Sequence, residues 1–401
     1  VKALGRACKE LEDANPVLEG TLTTVDFVRI ERWDNDRRDR ILKQLVAGTS
    51  GLPELEEVTQ VGEIYDSLVT ILAENAGRGG GEMFLSVPLA RLMVALLNPG
   101  NGMLVCDPVC NAGRALVACA TLATENHLDL TLHGQEPYDR LIGVCKMNLL
   151  LRGAGDARIE AGNALRSPML ARERELIRYD RVIAAPPINL AHWGAEDAAK
   201  DPFGRFPIVP PKQNADYAYI LHCVAILREG GRAVILTDRG VLFRQGGEEQ
   251  IRRMLVEDDR FEAIIGLPGG LLYGTHIPSV LLVLRKGKSP RSGKVLFAEI
   301  RHSSVRRVRH QALRSEDIES VKASVLLFRE QEDMSRIVDL GRIARNQWIL
   351  NPALYIPHNV SRTDIDLVEM TEAIRVREAE RDEAISRMDD LVQELAERLG
   401  L

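Results

Sequence analysis

Tyr179-Asp180-Arg181-Val182-Ile183-Ala184-Ala185-Pro186-Pro187-Ile188 is the segment on which the reading of this chain turns. Val182 to Ala185 is a short apolar run that opens with two adjacent β-branched residues, and it stops at a Pro-Pro pair. That is the pattern of a strand buried in a sheet. Proline removes a backbone donor and fixes φ, so the ladder has to end at Ala185. A rigid turn at the tip of a buried strand presents its carbonyls and side chains to a ligand instead of a neighbouring strand.

Strands of the same kind recur on both sides of this segment. Met103-Leu104-Val105-Cys106, Leu130-Thr131-Leu132-His133-Gly134, Ala233 to Leu236, Ala263 to Ile265 and Val280 to Leu284 read as strands. Helical periods run over Ala115 to Leu122, through Leu141, Val144, Cys145 and Leu149, over Tyr217 to Leu227 and over Glu248 to Val256. Strands alternating with helices predict the α/β class, with a mainly parallel sheet covered on both faces. Ligands of such sheets bind beyond the carboxyl ends of the strands.

Residues 1–76 read as a helical domain, with Ile41, Leu42, Leu45 and Val46, and then Ile64, Leu68, Ile71 and Leu72, at helical spacing. The connector Gly77-Arg78-Gly79-Gly80-Gly81 separates it from the strand–helix region at 82–325. A C-terminal segment, 326–401, ends in a long charged helix whose stripe is Ile385, Met388, Leu391, Leu395 and Leu399. The stripe reads equally as a surface helix or as a coiled-coil segment for a partner.

Composition bounds the rest. The chain has 401 residues, 45% hydrophobic and 27% charged, which fits two or three folded domains. No apolar run approaches the roughly 20 residues that cross a bilayer, and Val1-Lys2-Ala3 opens no signal peptide, so no membrane association and a cytoplasmic location are expected. The six cysteines sit mostly in apolar runs without a C-x-x-C pair, which reads as buried reduced thiols and no metal site. A net charge of −6 means that any DNA contact needs a local basic face or charge from partner subunits. Aromatic residues make up only 4%, so base-stacking platforms are few.

Three further motifs lie at strand ends. After Cys106 comes Asp107-Pro108-Val109-Cys110-Asn111-Ala112-Gly113-Arg114 and then a helix, a small-residue turn that lets backbone N–H groups approach a ligand. Glu136 closes the second strand, where an acid can accept from both ribose hydroxyls of a nucleoside cofactor. In Ala161-Gly162-Asn163-Ala164, the Asn163 carbonyl can accept from an adenine amino group. Each motif alone is equally well read as a structural turn, but their order is far more specific than any one of them.

With these residues in place, the chain resembles the modification (methyltransferase, M) subunit of type I restriction-modification systems, the N6-adenine DNA methylase family. Segments carrying the resemblance include Gly62-Glu63-Ile64-Tyr65, Gly134-Gln135-Glu136, Lys146-Met147-Asn148-Leu149, and Pro210-Pro211-Lys212-Gln213-Asn214-Ala215-Asp216. Gly240-Val241-Leu242-Phe243-Arg244, Ile265-Gly266-Leu267-Pro268 and Leu350-Asn351-Pro352 extend it. The resemblance implies a Rossmann-like S-adenosylmethionine-dependent methyltransferase fold with an N-terminal helical domain and a C-terminal helical tail. It also implies N6-adenine methylation of DNA together with a specificity subunit, a second copy of the chain and a restriction subunit. Carried over residue by residue, the cofactor site comprises Glu82, Met83, Phe84, Asp107, Asn111, Ala112, Gly113, Glu136 and Asn163, and the catalytic motif is Ala185, Pro186, Pro187 and Ile188.

The departures from the family pattern fall on the chemistry. The family's Asp-Pro-Ala-Cys-Gly-Ser-Gly-Gly loop here carries Asn111 for its first glycine and Arg114 for its last. The family's Glu-Phe-Tyr-Thr-Pro-Arg segment is Glu82-Met83-Phe84-Leu85-Ser86-Val87, and Asn-Pro-Pro-Phe has become Ala185-Pro186-Pro187-Ile188. An adenine amine is a poor nucleophile, and the family's Asn carbonyl and first-proline carbonyl accept its two hydrogens as the methyl arrives. Losing one such transition-state hydrogen bond costs roughly 2.7–4 kcal/mol, or about 10² to 10³ in rate. Losing the stacking aromatic removes about 1–3 kcal/mol more.

Weak or absent catalysis is therefore expected, with S-adenosylmethionine binding itself in question and Arg114 expected to crowd the cofactor pocket. The alternative is an active methylase in which another residue, such as Asn189, compensates. A small-molecule methyltransferase fits the strand–helix pattern but not the segments after residue 210. Among other candidates, Arg301, Arg306, Arg307, Arg309 and His310 read equally as a solvated face or as phosphate contacts. Lys212, Asn214 and Asp216 read as a structural turn, Asp238 and Arg239 as an exposed turn, and His222 and His276 as ordinary histidines.

Overall fold

A computed structural model describes residues 1–25, 30–32, 34–49, 58–75, 85–172, 175–272, 277–287, 290–300, 305–306, 311–356 and 375. Glu82, Met83, Phe84, the glycine connector, His276 and the tail stripe lie outside these residues, as do Arg301, Arg307, Arg309 and His310 of the basic run. Val1–Pro357 forms one compact unit.

The N-terminal helices are α1 (Lys2–Ala14), α2 (Asn35–Thr49) and α3 (Val58–Asn75). Helix α3 lies against the turn after the helix at 139–150. A Cβ at Gly62 would stand 2.9 Å from the Leu151 carbonyl oxygen, so only glycine permits this approach. Next comes α4 (Val87–Leu97), with seven of its residues buried and a left-handed Asn98 closing it.

Nine strands then build one sheet: β1 (Met103–Asp107), β2 (Leu130–Glu136), β3 (Arg158–Ala161), β4 (Tyr179–Ala184), β5 (Leu227–Asp238), β6 (Phe261–Gly266), β7 (Ser279–Arg285), β8 (Lys294–Glu299) and β9 (Ser335–Asp339). Their order across the sheet is β9-β8-β6-β7-β5-β4-β1-β2-β3. Five of the pairings are parallel; β7 runs antiparallel to both β5 and β6, and β9 runs antiparallel to β8. Strands β8 and β9 were not evident as strands in the sequence. Strand β9 alternates only weakly (Ser-Arg-Ile-Val-Asp), so its pairing rests on a distant partner.

Helices cover both faces: α5 (Arg114–Glu125), α6 (Asp139–Leu150), α7 (Asp216–Ala225), α8 (Gly247–Glu257), α9 (Ser315–Leu327) and α10 (Leu340–Arg345). Successive strand residues point to opposite faces. Cys106, Val182, Ala184, Ala233 and Ile235 accordingly join the core packed under α7, α8 and α10. Val105, Ile183, Val234 and Leu236 join the core under α4, α5 and α9. Burial on both faces is why these strands read as continuous apolar runs.

The feature that positions a site is the reversal at β1. The chain runs outward from β1 to β2 and β3, then returns to lay β4 on the other side of β1. The loops after β1 and β4 therefore diverge from neighbouring strand ends and leave a crevice between them.

Candidate functional site

The crevice is made by the tips of β1, β2 and β4. Asp107 ends β1 and is buried, and its Oδ1 accepts from the Val109 N–H at 3.1 Å. Burial, with Glu136 nearby, pushes its carboxyl up to about 8 against the bond from Val109. Glu136 ends β2, likewise buried. Its Oε2 accepts from the Asn111 N–H at 2.9 Å and its Oε1 from the Tyr138 N–H at 3.1 Å, while burial pushes it up to about 7. Neither carboxylate meets a basic group among the described residues.

The loop between β1 and α5 has two left-handed residues. Gly113 has φ +83, and a Cβ there would come 2.6 Å from Cys145 Sγ, so glycine is required on both counts. Asn111 has φ +50, a conformation that asparagine tolerates better than most residues. Its side-chain Nδ2 donates to the Val109 carbonyl at 2.9 Å and to the Ala185 carbonyl at 3.1 Å, across to the tip of β4. Ala112 is buried in the same loop.

At β4, Ala185, Pro186 and Ile188 line one cavity together with Asp107, Asn111 and Ala112. Pro187 follows in the same turn. The cavity is about 20 Å³, and Leu85, Leu236 and Leu272 complete much of its apolar wall. Those leucines carry no signal in the sequence, because each reads there as ordinary core.

Asn163 stands apart from this cavity. Its Oδ1 accepts from the N–H groups of Leu165 at 2.9 Å and Arg166 at 3.3 Å, a local turn that occupies the side-chain oxygen. Arg114 does not fill the pocket with its charge. Its guanidinium turns to α3, ion-pairing Asp66 at 2.8 Å and donating to Thr70 Oγ1 at 3.3 Å. Its stem still lines the cavity, while a carboxylate on the neighbouring helix draws the guanidinium away.

Asn189 is committed elsewhere. Its Oδ1 accepts from Asn214 at 2.9 Å and from Arg244 at 2.8 Å. Arg244 also pairs with Asp216 at 2.9 Å, Glu248 at 3.3 Å and Asp238. Asp238 and Arg239 thus form no free turn, since Arg239 pairs with Glu299 at 2.6 Å. His222 is buried beside Arg205, with Nδ1 3.1 Å from its guanidinium, and burial followed by that charge presses the imidazole down to about 3. It is a neutral core histidine.

A sheet with its crevice between β1 and β4, an antiparallel β7, and acids at the tips of β1 and β2 defines a class I S-adenosylmethionine-dependent methyltransferase fold. Within that class, residues 57–364 match the family described as N-6 DNA Methylase, and the chain belongs to that family. The MjaVII type I restriction enzyme methylase subunit of Methanocaldococcus jannaschii is 28% identical over 98% of this chain and 70% of its own length. The MjaVIII methylase subunit of the same organism is 28% identical over 78% of this chain and 56% of its own length. Thus the chain spans between about half and 70% of these relatives. The type I restriction-modification methyltransferase subunit of Streptococcus thermophilus shares the fold, with a TM-score of 0.78 at 21% identity, over 89% of this chain and 76% of that one.

The residues fit S-adenosylmethionine in part. Two buried carboxylates without a basic partner among the described residues, Asp107 and Glu136, suit a cationic nucleoside ligand. Against it, the Asn111 amide bridges the β1 and β4 loops to Ala185 over a cavity of about 20 Å³, which holds about one water. Among the described residues, no helix is long and apolar enough to cross a membrane, and no three ligating side chains form a metal-type cluster.

Proposed function

We propose that the chain serves as the modification subunit of a type I restriction-modification assembly, held on DNA by a specificity subunit, with methyl transfer to adenine N6 impaired at its own catalytic motif. A second copy and a restriction subunit complete the assembly. The division into a helical domain at 1–76, a methyltransferase-like domain at 82–325 and a partner-binding segment at 326–401 belongs to this reading.

One observation carries it: the β4 tip stands at the switch point with Ala185 where a side-chain acceptor is needed. S-adenosylmethionine, when bound, supplies an electrophilic methyl group. The chain's part is to hold the attacking amine and accept its protons. The Pro186 carbonyl can take one hydrogen, and Ala185 has no atom to take the other. Ile188 offers apolar contact to a base without an aromatic face.

The active alternative with a compensating residue finds little support at Asn189, whose oxygen already accepts two hydrogen bonds. The test is methyl transfer to unmethylated DNA by the chain in complex with a specificity subunit, at saturating S-adenosylmethionine. The Ala185→Asn, Ile188→Phe double variant is expected to exceed the native chain by about 10²-fold or more. Native turnover equal to that of the double variant would overturn the reading.

A further inference from the structure

We infer that Asn111 is a latch that closes the cofactor crevice, so that the site admits the nucleoside half of an S-adenosylmethionine-type ligand and resists its amino-acid arm. This deepens the proposed function and rests on its assignment of the crevice.

A single residue ties three strand ends together. The Asn111 backbone N–H holds Glu136 at the tip of β2, at 2.9 Å. Its Nδ2 donates to Val109 in the β1 loop at 2.9 Å and to Ala185 at the β4 tip at 3.1 Å. Both amide hydrogens are thus used on backbone carbonyls, which fixes the plane of the side chain across the opening between the β1 and β4 loops. What remains beneath is a cavity of about 20 Å³, room for about one water. A glycine at 111 would keep φ +50 without strain and would leave the Ala185 carbonyl unbridged. On the side of β2, by contrast, Glu136 stands at the strand tip outside that cavity. Glu136 keeps acceptor capacity, because each of its oxygens takes a single N–H among the described residues.

A ligand that must displace a latch closed nine times in ten binds about tenfold more weakly than the open site allows. The penalty applies to a ligand with a methionine arm and not to one without it. Isothermal titration of the full chain with S-adenosylmethionine and with adenosine, in the absence of DNA and specificity subunit, reads this directly. Asn111→Gly is expected to strengthen S-adenosylmethionine binding by about tenfold or more and to leave adenosine within about twofold. Asn111→Ala, which keeps a Cβ but loses the amide, is expected to act in the same direction. Equal gains for both ligands, or no gain in either variant, would overturn the latch. So would a native chain that already prefers S-adenosylmethionine to adenosine by about tenfold or more, a result independent of how the variants fold. Because the readout is binding alone, its failure leaves the transfer test on Ala185 and Ile188 standing.

Discussion

The two ends of the sheet treat buried carboxylates in opposite ways. Toward the amino end of β6, Glu262 is fully buried and surrounded by arginines. Arg232 reaches it with two bonds of 2.9 and 3.0 Å, Arg285 lies at 3.5 Å, and Arg291 also bonds to it. At the carboxyl ends, Asp107 and Glu136 are as deeply buried and receive only backbone N–H groups, so burial dominates and both are pushed upward. A structural carboxylate is neutralised within the fold. A carboxyl in the crevice is left without a charged partner among the described residues, and the fold carries the cost of burying it.

The largest effect should come from breaking the neutralised end. Glu262→Ala leaves Arg232, Arg285 and Arg291 facing one another in a buried site, and chemical denaturation is expected to show a loss of about 3–5 kcal/mol. A loss below about 1 kcal/mol would mean that the arginines are held instead by backbone carbonyls, Leu96 at 3.1 Å from Arg232 and Val325 at 3.2 Å from Arg291, and the contrast would collapse.

At the other end the sign reverses. The folded Asp107 carboxyl sits at about 8 against an ordinary 3.8. The folded state therefore holds more protons between those values than the unfolded chain. The contribution of this group is full at low pH and is lost as pH rises through about 8. Asp107→Asn removes the titration, so its stability relative to the native chain should rise between pH 5 and pH 8 by more than about 1 kcal/mol. Denaturation midpoints that fall in parallel for the two proteins would show that the folded Asp107 carboxyl keeps its ordinary value.

A further change concerns the largely buried charge pair on α3. Arg114→Ala removes one of the two arginines on Asp66 and leaves Arg152 at 3.4 Å to neutralise it, so a loss of about 1–2 kcal/mol is expected in thermal or chemical melts. A much larger loss would make this pair resemble the Glu262 cluster, as the main anchor of α3.

Much of the site was legible because strand ends announce themselves locally. The stop at Pro186-Pro187, the turn after Asp107 and the acid at Glu136 all follow from apolar runs meeting breakers, and they occupy neighbouring strand tips. That Ala185 carries no side-chain acceptor is a property of the residue itself. The commitments of the side chains were not legible in this way. Asn163 looked available for a ligand and instead caps its own turn, and Arg114 lines the cavity with its stem while its guanidinium reaches α3. A long or polar side chain chooses among partners brought in by other elements, and spacing along the chain does not specify them.

The amino-acid sequence by itself determined the alternation of strands and helices, the places where strands end, and the lack of any side-chain acceptor on residue 185, because each is set by the residues within a few positions. Only the tertiary structure decided that β1 lies between β2 and β4, that β7 runs backwards, and that the Asn111 amide meets a carbonyl 74 residues further along. Those outcomes depend on which distant surfaces bury one another. A hydrogen bond across a crevice exists only after that packing has set the width of the gap.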